Sequence, residues 1–158
     1  MIEPDHSSTL TGWREWVGLP GTGVDWLKAK IDTGAQTSAL HASDVTEFSR
    51  DGADWVRFTV HPWQRNDLDA VILERPVHDR RTVRSSSGHA EERLVVLMDV
   101  RLCGRRASSE ITLTSRPEMV FRMLIGREAL RQGFIVDSAA SYLGGRPERA
   151  IRRRNREA

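Results

Sequence analysis

No stretch of this chain runs far before a turn signal interrupts it, and that punctuation limits the folds open to it. Gly12-Trp13-Arg14-Glu15-Trp16-Val17-Gly18-Leu19 alternates large apolar and polar residues, the period-two signature of a strand. Pro20-Gly21-Thr22-Gly23 breaks it, and residues 24–31 read as a second strand, so the two form a hairpin. Asp51-Gly52, between alternating runs at 45–48 and 55–60, is a strong hairpin signal. Residues 38–45 read as irregular or extended, 71–74 and 111–114 as short strands, and 134–137 as a last one. Residues 76–84 and 92–102 read as a long hairpin whose tip, Ser85-Ser86-Ser87-Gly88, is small and flexible. Residues 127–132 alone carry good helix propensity, ended by Gly133. Many short strands with one brief helix near the C-terminus predict a mainly β barrel or sandwich.

The 158 residues fit one domain with a real core. We expect a disordered leader at 1–10, a folded domain at 11–145 and a basic, flexible tail at 146–158. The tail holds six Arg and two Glu, a net +4, so the rest of the chain is about −2. No apolar run approaches the roughly 20 residues of a membrane helix. The polar leader predicts no secretory signal, and the single cysteine, Cys103, rules out an internal disulfide. Together these predict a cytoplasmic protein, with Cys103 a small apolar strand residue.

One strand ends unusually. The run at 26–31 leads into Asp32-Thr33-Gly34, which places a carboxylate in a glycine-containing turn at a rim, where loops carry chemistry on a rigid scaffold. Other chemistries lack their motifs. The five His form no His-Glu-x-x-His pattern, and there is neither a Walker lysine nor a Gly-x-Ser-x-Gly elbow. A metallohydrolase built on Asp32 and His41 stays open as a reading, but we expect no metal and no cofactor.

Carboxylate chemistry remains. A lone carboxylate, with a reference pKa of about 4, is a weak base at neutral pH. Two close carboxylates share one proton, so one can be the base towards water while the other is the acid towards a carbonyl. A two-fold dimer can supply Asp32 twice. Gly34 would let the two loops approach, and the Thr33 hydroxyl could hydrogen-bond across. Ile135-Val136-Asp137-Ser138-Ala139 is a rival second turn within one chain, though Ala suits close loop approach less well than Gly.

Asp32-Thr33-Gly34-Ala35, followed about ninety positions later by Leu124-Ile125-Gly126-Arg127 and a short helix, resembles the retropepsins, homodimeric aspartic proteases. A closer resemblance covers residues 11–145. It rests on Trp13-Arg14-Glu15-Trp16-Val17, on Lys28 to Ala35 with Thr37-Ser38-Ala39-Leu40-His41-Ala42, on Asp79-Arg80-Arg81, on Glu91-Glu92-Arg93 and on residues 121–127. These are similar to the bacterial retropepsin-like family that includes the RimB-type proteases and is often labelled an ATP-dependent zinc protease. Neither ATP nor zinc finds support in the residues. Gln36 departs from the Arg expected at its position, which bears on local substrate contacts.

The resemblance implies a retropepsin-like closed β-barrel. It also implies a homodimer with Asp32, Thr33 and Gly34 catalytic, and a hairpin flap contributing Arg80, Arg81, Arg84, Ser87, Gly88 and Arg93. The implied substrate is an acidic, glutamate-modified protein tail, with a functional link to an ATP-grasp glutamate ligase; no membrane or nucleic-acid partner is expected. The alternative is a non-catalytic module that binds a glutamylated protein or the ligase.

Overall fold

The computed structural model describes residues 7–63, 68–84, 88–115 and 120–156. The strands are β1 (Thr9–Thr11), β2 (Arg14–Leu19), β3 (Val24–Ile31), β4 (Ser38–Arg50), β5 (Ala53–Val60), β6 (Val71–Pro76), β7 (Asp79–Arg84), β8 (Ala90–Leu102), β9 (Arg105–Thr114), β10 (Met123–Ile125) and β11 (Phe134–Val136). Two short helices, α1 (Arg127–Leu130) and α2 (Arg149–Arg156), complete the set.

Six strands close a barrel in the order β3-β2-β8-β9-β4-β10, because β10 pairs with both β4 and β3. β5 and β6 continue outward from β4, while β7 pairs with β8. The barrel is mainly β, as the turn punctuation predicts. Alternation explains its core: in β3, Leu27, Ala29 and Ile31 point inward while Lys30 stays exposed. Phe58, Leu40, Ile111 and Met123 join them at under 2% exposure. Each large apolar side chain buried this way contributes about 1.5–3 kcal/mol.

The Asp51-Gly52 hairpin forms as expected, with both residues at positive φ. Several boundaries differ from the sequence reading. β1 begins at Thr9, inside the expected leader, because it lies parallel to β11 with Thr9 opposite Phe134. A parallel partner more than a hundred residues away leaves no local signal. β9 reaches back to Arg105, since pairing with β8 overrides its polar start. Cys103 is not a strand residue. With Gly104 it forms the β8–β9 turn, at φ +50° and +78°. The stretch expected to be a tail contains α2. The Ser85–Ser87 tip lies outside the described residues, as does the Arg84 side chain. No helix among the described residues is long and apolar enough to cross a membrane.

Candidate active site

Asp32 leaves the end of β3 into a turn braced from three sides. Its own N–H donates to the Ile125 carbonyl at 2.9 Å. Its Oδ1 accepts the Gly34 N–H at 2.9 Å, and its carbonyl accepts the Ala35 N–H at 3.3 Å. The loop is then tied to α1. The N–H groups of Arg127 and Glu128 donate to the Ala35 and Gln36 carbonyls at 2.7 and 3.0 Å. The Arg127 guanidinium donates to the Thr33 carbonyl, and Gln36 Nε2 donates to Glu128 Oε1. Gln36, which stands where the resemblance leads one to expect Arg, thus anchors its loop to the helix.

Gly126 makes this packing possible. A Cβ there would lie 2.4 Å from the Thr37 carbonyl oxygen and 3.0 Å from that of Ala35. The requirement is space, since φ at Gly126 is −95°. Beneath, the buried Ser38 hydroxyl accepts the Gly126 N–H at 3.1 Å and a hydrogen bond from Ser109 Oγ at 2.9 Å. The buried Arg122 donates twice to the Trp63 carbonyl, while its own carbonyl accepts the His41 N–H, securing the chain entering β10. Ser109 and Arg122 escape sequence reasoning because a buried polar residue shows its purpose only once its partner is known.

The Asp32 carboxylate is half-buried, and Thr33 and Gly34 are exposed. So the backbone is fixed while the reactive face stays open, the arrangement a preorganised general base needs. Gly34 carries no positive φ, and a Cβ there would meet only Asp32 Oδ1, at 3.2 Å. The turn itself therefore does not demand glycine.

Asp137 is held by the same device, in a turn linked through Trp13 to Ile31, the residue before Asp32. Its N–H donates to the Thr11 carbonyl at 2.8 Å and its Oδ1 accepts the Ala139 N–H at 2.9 Å. The Ala140 carbonyl accepts the Trp13 N–H, yet Asp137, Ser138 and Ala139 are exposed, so this carboxylate too is open to solvent. Glu15, fully buried, accepts the N–H groups of Gly12, Leu143 and Gly144 at 2.7–3.0 Å and pins the chain after Asp137 to β2.

The predicted flap hairpin forms as β7 and β8, with Arg81 opposite Arg93. Its arginines already hold carboxylates of their own chain. Arg80 bonds Glu47, with Asp54 and Glu92 at 3.4 Å; Arg81 bonds Glu110 at 2.7 Å and Asp79 at 3.0 Å; Arg93 lies 3.6 Å from Glu91. The Arg80 hydrogen bond holds the Glu47 carboxyl below its usual value, and Arg81 does the same to Glu110. Gly88 is exposed, with φ at +86°. Ser87 lies outside the described residues.

Among the described residues, no group of three or more His, Cys, Asp and Glu is placed to hold a metal. His41 is buried beside His61, with ring centroids 6.0 Å apart.

Comparison with known proteins agrees with this architecture. Residues 10–147 match the family model described as "RimB-like: Retropepsin-like aspartic endopeptidase RimB". A protein of Desulfotalea psychrophila named "Probable alpha-L-glutamate ligase" is 40% identical over 138 residues, which span 87% of this chain and 30% of that protein. One of the same name from Parasynechococcus marenigrum is 44% identical over 134 residues, 84% of this chain and 28% of its own length. The chain thus spans under a third of these relatives. The crystal structure of Lpg0085 from Legionella pneumophila, a protein of unknown function (DUF785), superposes with a TM-score of 0.74 at 27% identity, covering 87% of this chain and 99% of that one. With the barrel, the Asp32 turn and the Ile125-Gly126 segment locked behind it, the match over residues 10–147 means that the chain belongs to the RimB-like family of retropepsin-like aspartic endopeptidases.

Proposed function

We propose that this chain is an aspartic peptidase whose active site forms where two copies bring their Asp32 residues together. The observation that carries the reading is the Asp32 turn: a carboxylate held by Gly34 and Ile125, half-exposed, with a glycine its own turn does not need. Glycine at that position makes sense if a second loop approaches from outside. The Thr33 hydroxyl is exposed and has no partner among the described residues, which suits a bond across the dimer axis. One Asp32 then takes a proton from water while the other protonates the peptide carbonyl.

The substrate proposed is a glutamate-modified, acidic protein tail. Support comes from the relatives named as glutamate ligases, in which this chain's counterpart is a minor part. A hydrolase acting on glutamate-linked products is the chemical complement of such a ligase. Those same names favour a second reading, a module that holds the glutamylated product or the ligase without cleaving it.

Two measurements separate the readings. Asp32→Asn should lower hydrolysis of an oligoglutamate-tailed protein by about 10²–10⁴-fold with an unchanged circular dichroism spectrum. Sedimentation equilibrium should show a dimer. Normal hydrolysis by Asp32→Asn would sink the dyad, and a strict monomer at high concentration would favour the binding module.

A further inference from the structure

The flap arginines are paired with carboxylates of their own chain, whereas, among the described residues, Arg14, Lys30 and Arg146 are not, although Arg14 Nε donates to Ser141 Oγ at 3.2 Å. The Tyr142 ring has three cations around it: the Arg14 and Arg146 guanidinium groups at 4.9 and 4.7 Å and the Lys28 ammonium at 5.9 Å from its centroid. Arg14 also lies over Trp13, and Lys28 over Trp16. Lys30 stands directly across the β2–β3 ladder from Arg14, a like-charge pairing that costs stability. Among the described residues, Arg14, Lys30 and Arg146 have no carboxylate at ion-pair distance.

The fold invests strain in this arrangement. Tyr142 sits at φ +57°, a region bulky residues avoid and one found most often at functional sites. The buried Glu15 carboxylate holds it there through the two residues that follow, and the Tyr142 N–H donates to the Arg14 carbonyl. Lys30 lies two residues before Asp32, about 7 Å along an extended chain.

We propose that Arg14 and Arg146, set around Tyr142, with Lys30 across the ladder from Arg14, form the docking surface for an acidic peptide running to Asp32. Stacking on a ring leaves guanidinium N–H edges free for bidentate contact with carboxylates. The Tyr142 ring on which a nucleobase would stack is already flanked by cations, which favours a peptide over a single-stranded nucleic acid. Adjacent glutamates of an extended peptide, spaced like strand residues, would reach successive cations. The choice of ligand rests on the peptidase reading, but binding is measurable without turnover.

The test uses the full chain carrying Asp32→Asn and a fluorescently labelled oligoglutamate peptide, read by anisotropy at low salt. Adding Arg14→Gln, Lys30→Gln and Arg146→Gln should weaken binding about 10-fold or more, the size expected from two or three charge-assisted contacts. Arg80→Gln with Arg81→Gln should change it less than about 2-fold, because both already have partners. Arg14→Lys with Arg146→Lys, which keeps charge and packing, should retain most of the affinity. Unchanged binding by the triple variant overturns the proposal. So does a loss confined to the Arg80/Arg81 variant, an absence of binding altogether, or equal binding of an oligouridylate of the same length. Binding by the Asp32→Asn chain that follows the expected pattern, without hydrolysis by the unsubstituted chain, supports the surface and removes the peptidase reading alone.

Discussion

Asp32 and Asp137 end strands in the same local structure and differ in what their turns are tied to. Each follows a strand that lies parallel to another: β3 beside β10, with Ile31 opposite Ile125, and β11 beside β1, with Val136 opposite Thr11. Each donates its N–H to the residue paired just before it, and each caps its own turn through Oδ1 at 2.9 Å. Each also faces a passing glycine, Gly126 or Gly12, whose added Cβ would lie 2.4 or 2.3 Å from a carbonyl oxygen of the turn. What differs is the next layer. The Asp32 loop is tied to α1, with Asp32 half-buried and Thr33 and Gly34 exposed, while the Asp137 loop is tied to Trp13, with Asp137, Ser138 and Ala139 all exposed and the chain after it pinned by the buried Glu15. Both turns thus leave a carboxylate accessible, and what sets Asp32 apart is its glycine-containing turn and the α1 brace behind it.

The sharpest way to break the comparison is to remove each carboxylate in turn. Asp137→Asn, unlike Asp32→Asn, should leave hydrolysis of the oligoglutamate-tailed protein within about 2-fold and stability within roughly 0.5 kcal/mol, since Asn Oδ1 can still accept the Ala139 N–H. Equal loss of activity in both would make the two turns partners within one chain and remove the need for a dimer.

The glycines come next. Gly126→Ala and Gly12→Ala should each destabilise by about 1–3 kcal/mol in denaturant titrations, because backbone carbonyls cannot yield as side chains do. Gly34→Ala should cost well under that, yet impair activity if a second loop packs against it. A large folding defect at Gly34 would show that its own turn needs the glycine after all.

Glu15→Gln probes the brace on the chain after Asp137. An amide accepts through one oxygen where the carboxylate serves three N–H groups with two, so a loss of about 1–3 kcal/mol is expected. Hydrogen exchange should rise over residues 141–145 and stay low around Ile125 and Arg127. A uniform rise would mean that the two turns are one cooperative unit.

The smallest effect concerns Cys103, beside Glu15. Burial, with a smaller contribution from the Glu15 charge, pushes its thiol up to about 11 from 9.0. The folded state therefore favours the neutral thiol, and the thiolate forms only as pH rises towards that value. At pH 8, alkylation by iodoacetamide should be roughly 100-fold slower than for a free thiol, in proportion to the thiolate present. Glu15→Gln should speed it.

Local pattern carried much of this. Period-two alternation, Asp51-Gly52 and Pro20-Gly21-Thr22-Gly23 mark strands and hairpins because both arise between near neighbours in the chain. Asp32-Thr33-Gly34 was legible for the same reason: an acidic residue ending a strand is anomalous in itself. The parallel pairs were not legible, since β10 and β1 are three residues each and owe their conformation to partners about a hundred or more positions away. Nor was the division of labour among charges. The Arg80-Arg81 and Arg14/Lys30 pairs are alike basic strand residues, and only the fold sets acidic residues of β4, β8 and β9 against the first and none against the second. Residue type determined which turns could bear a carboxylate. Tertiary packing decided what braces each carboxylate, α1 behind Asp32 and the chain entering β2 behind Asp137, because those partners lie far away in the sequence.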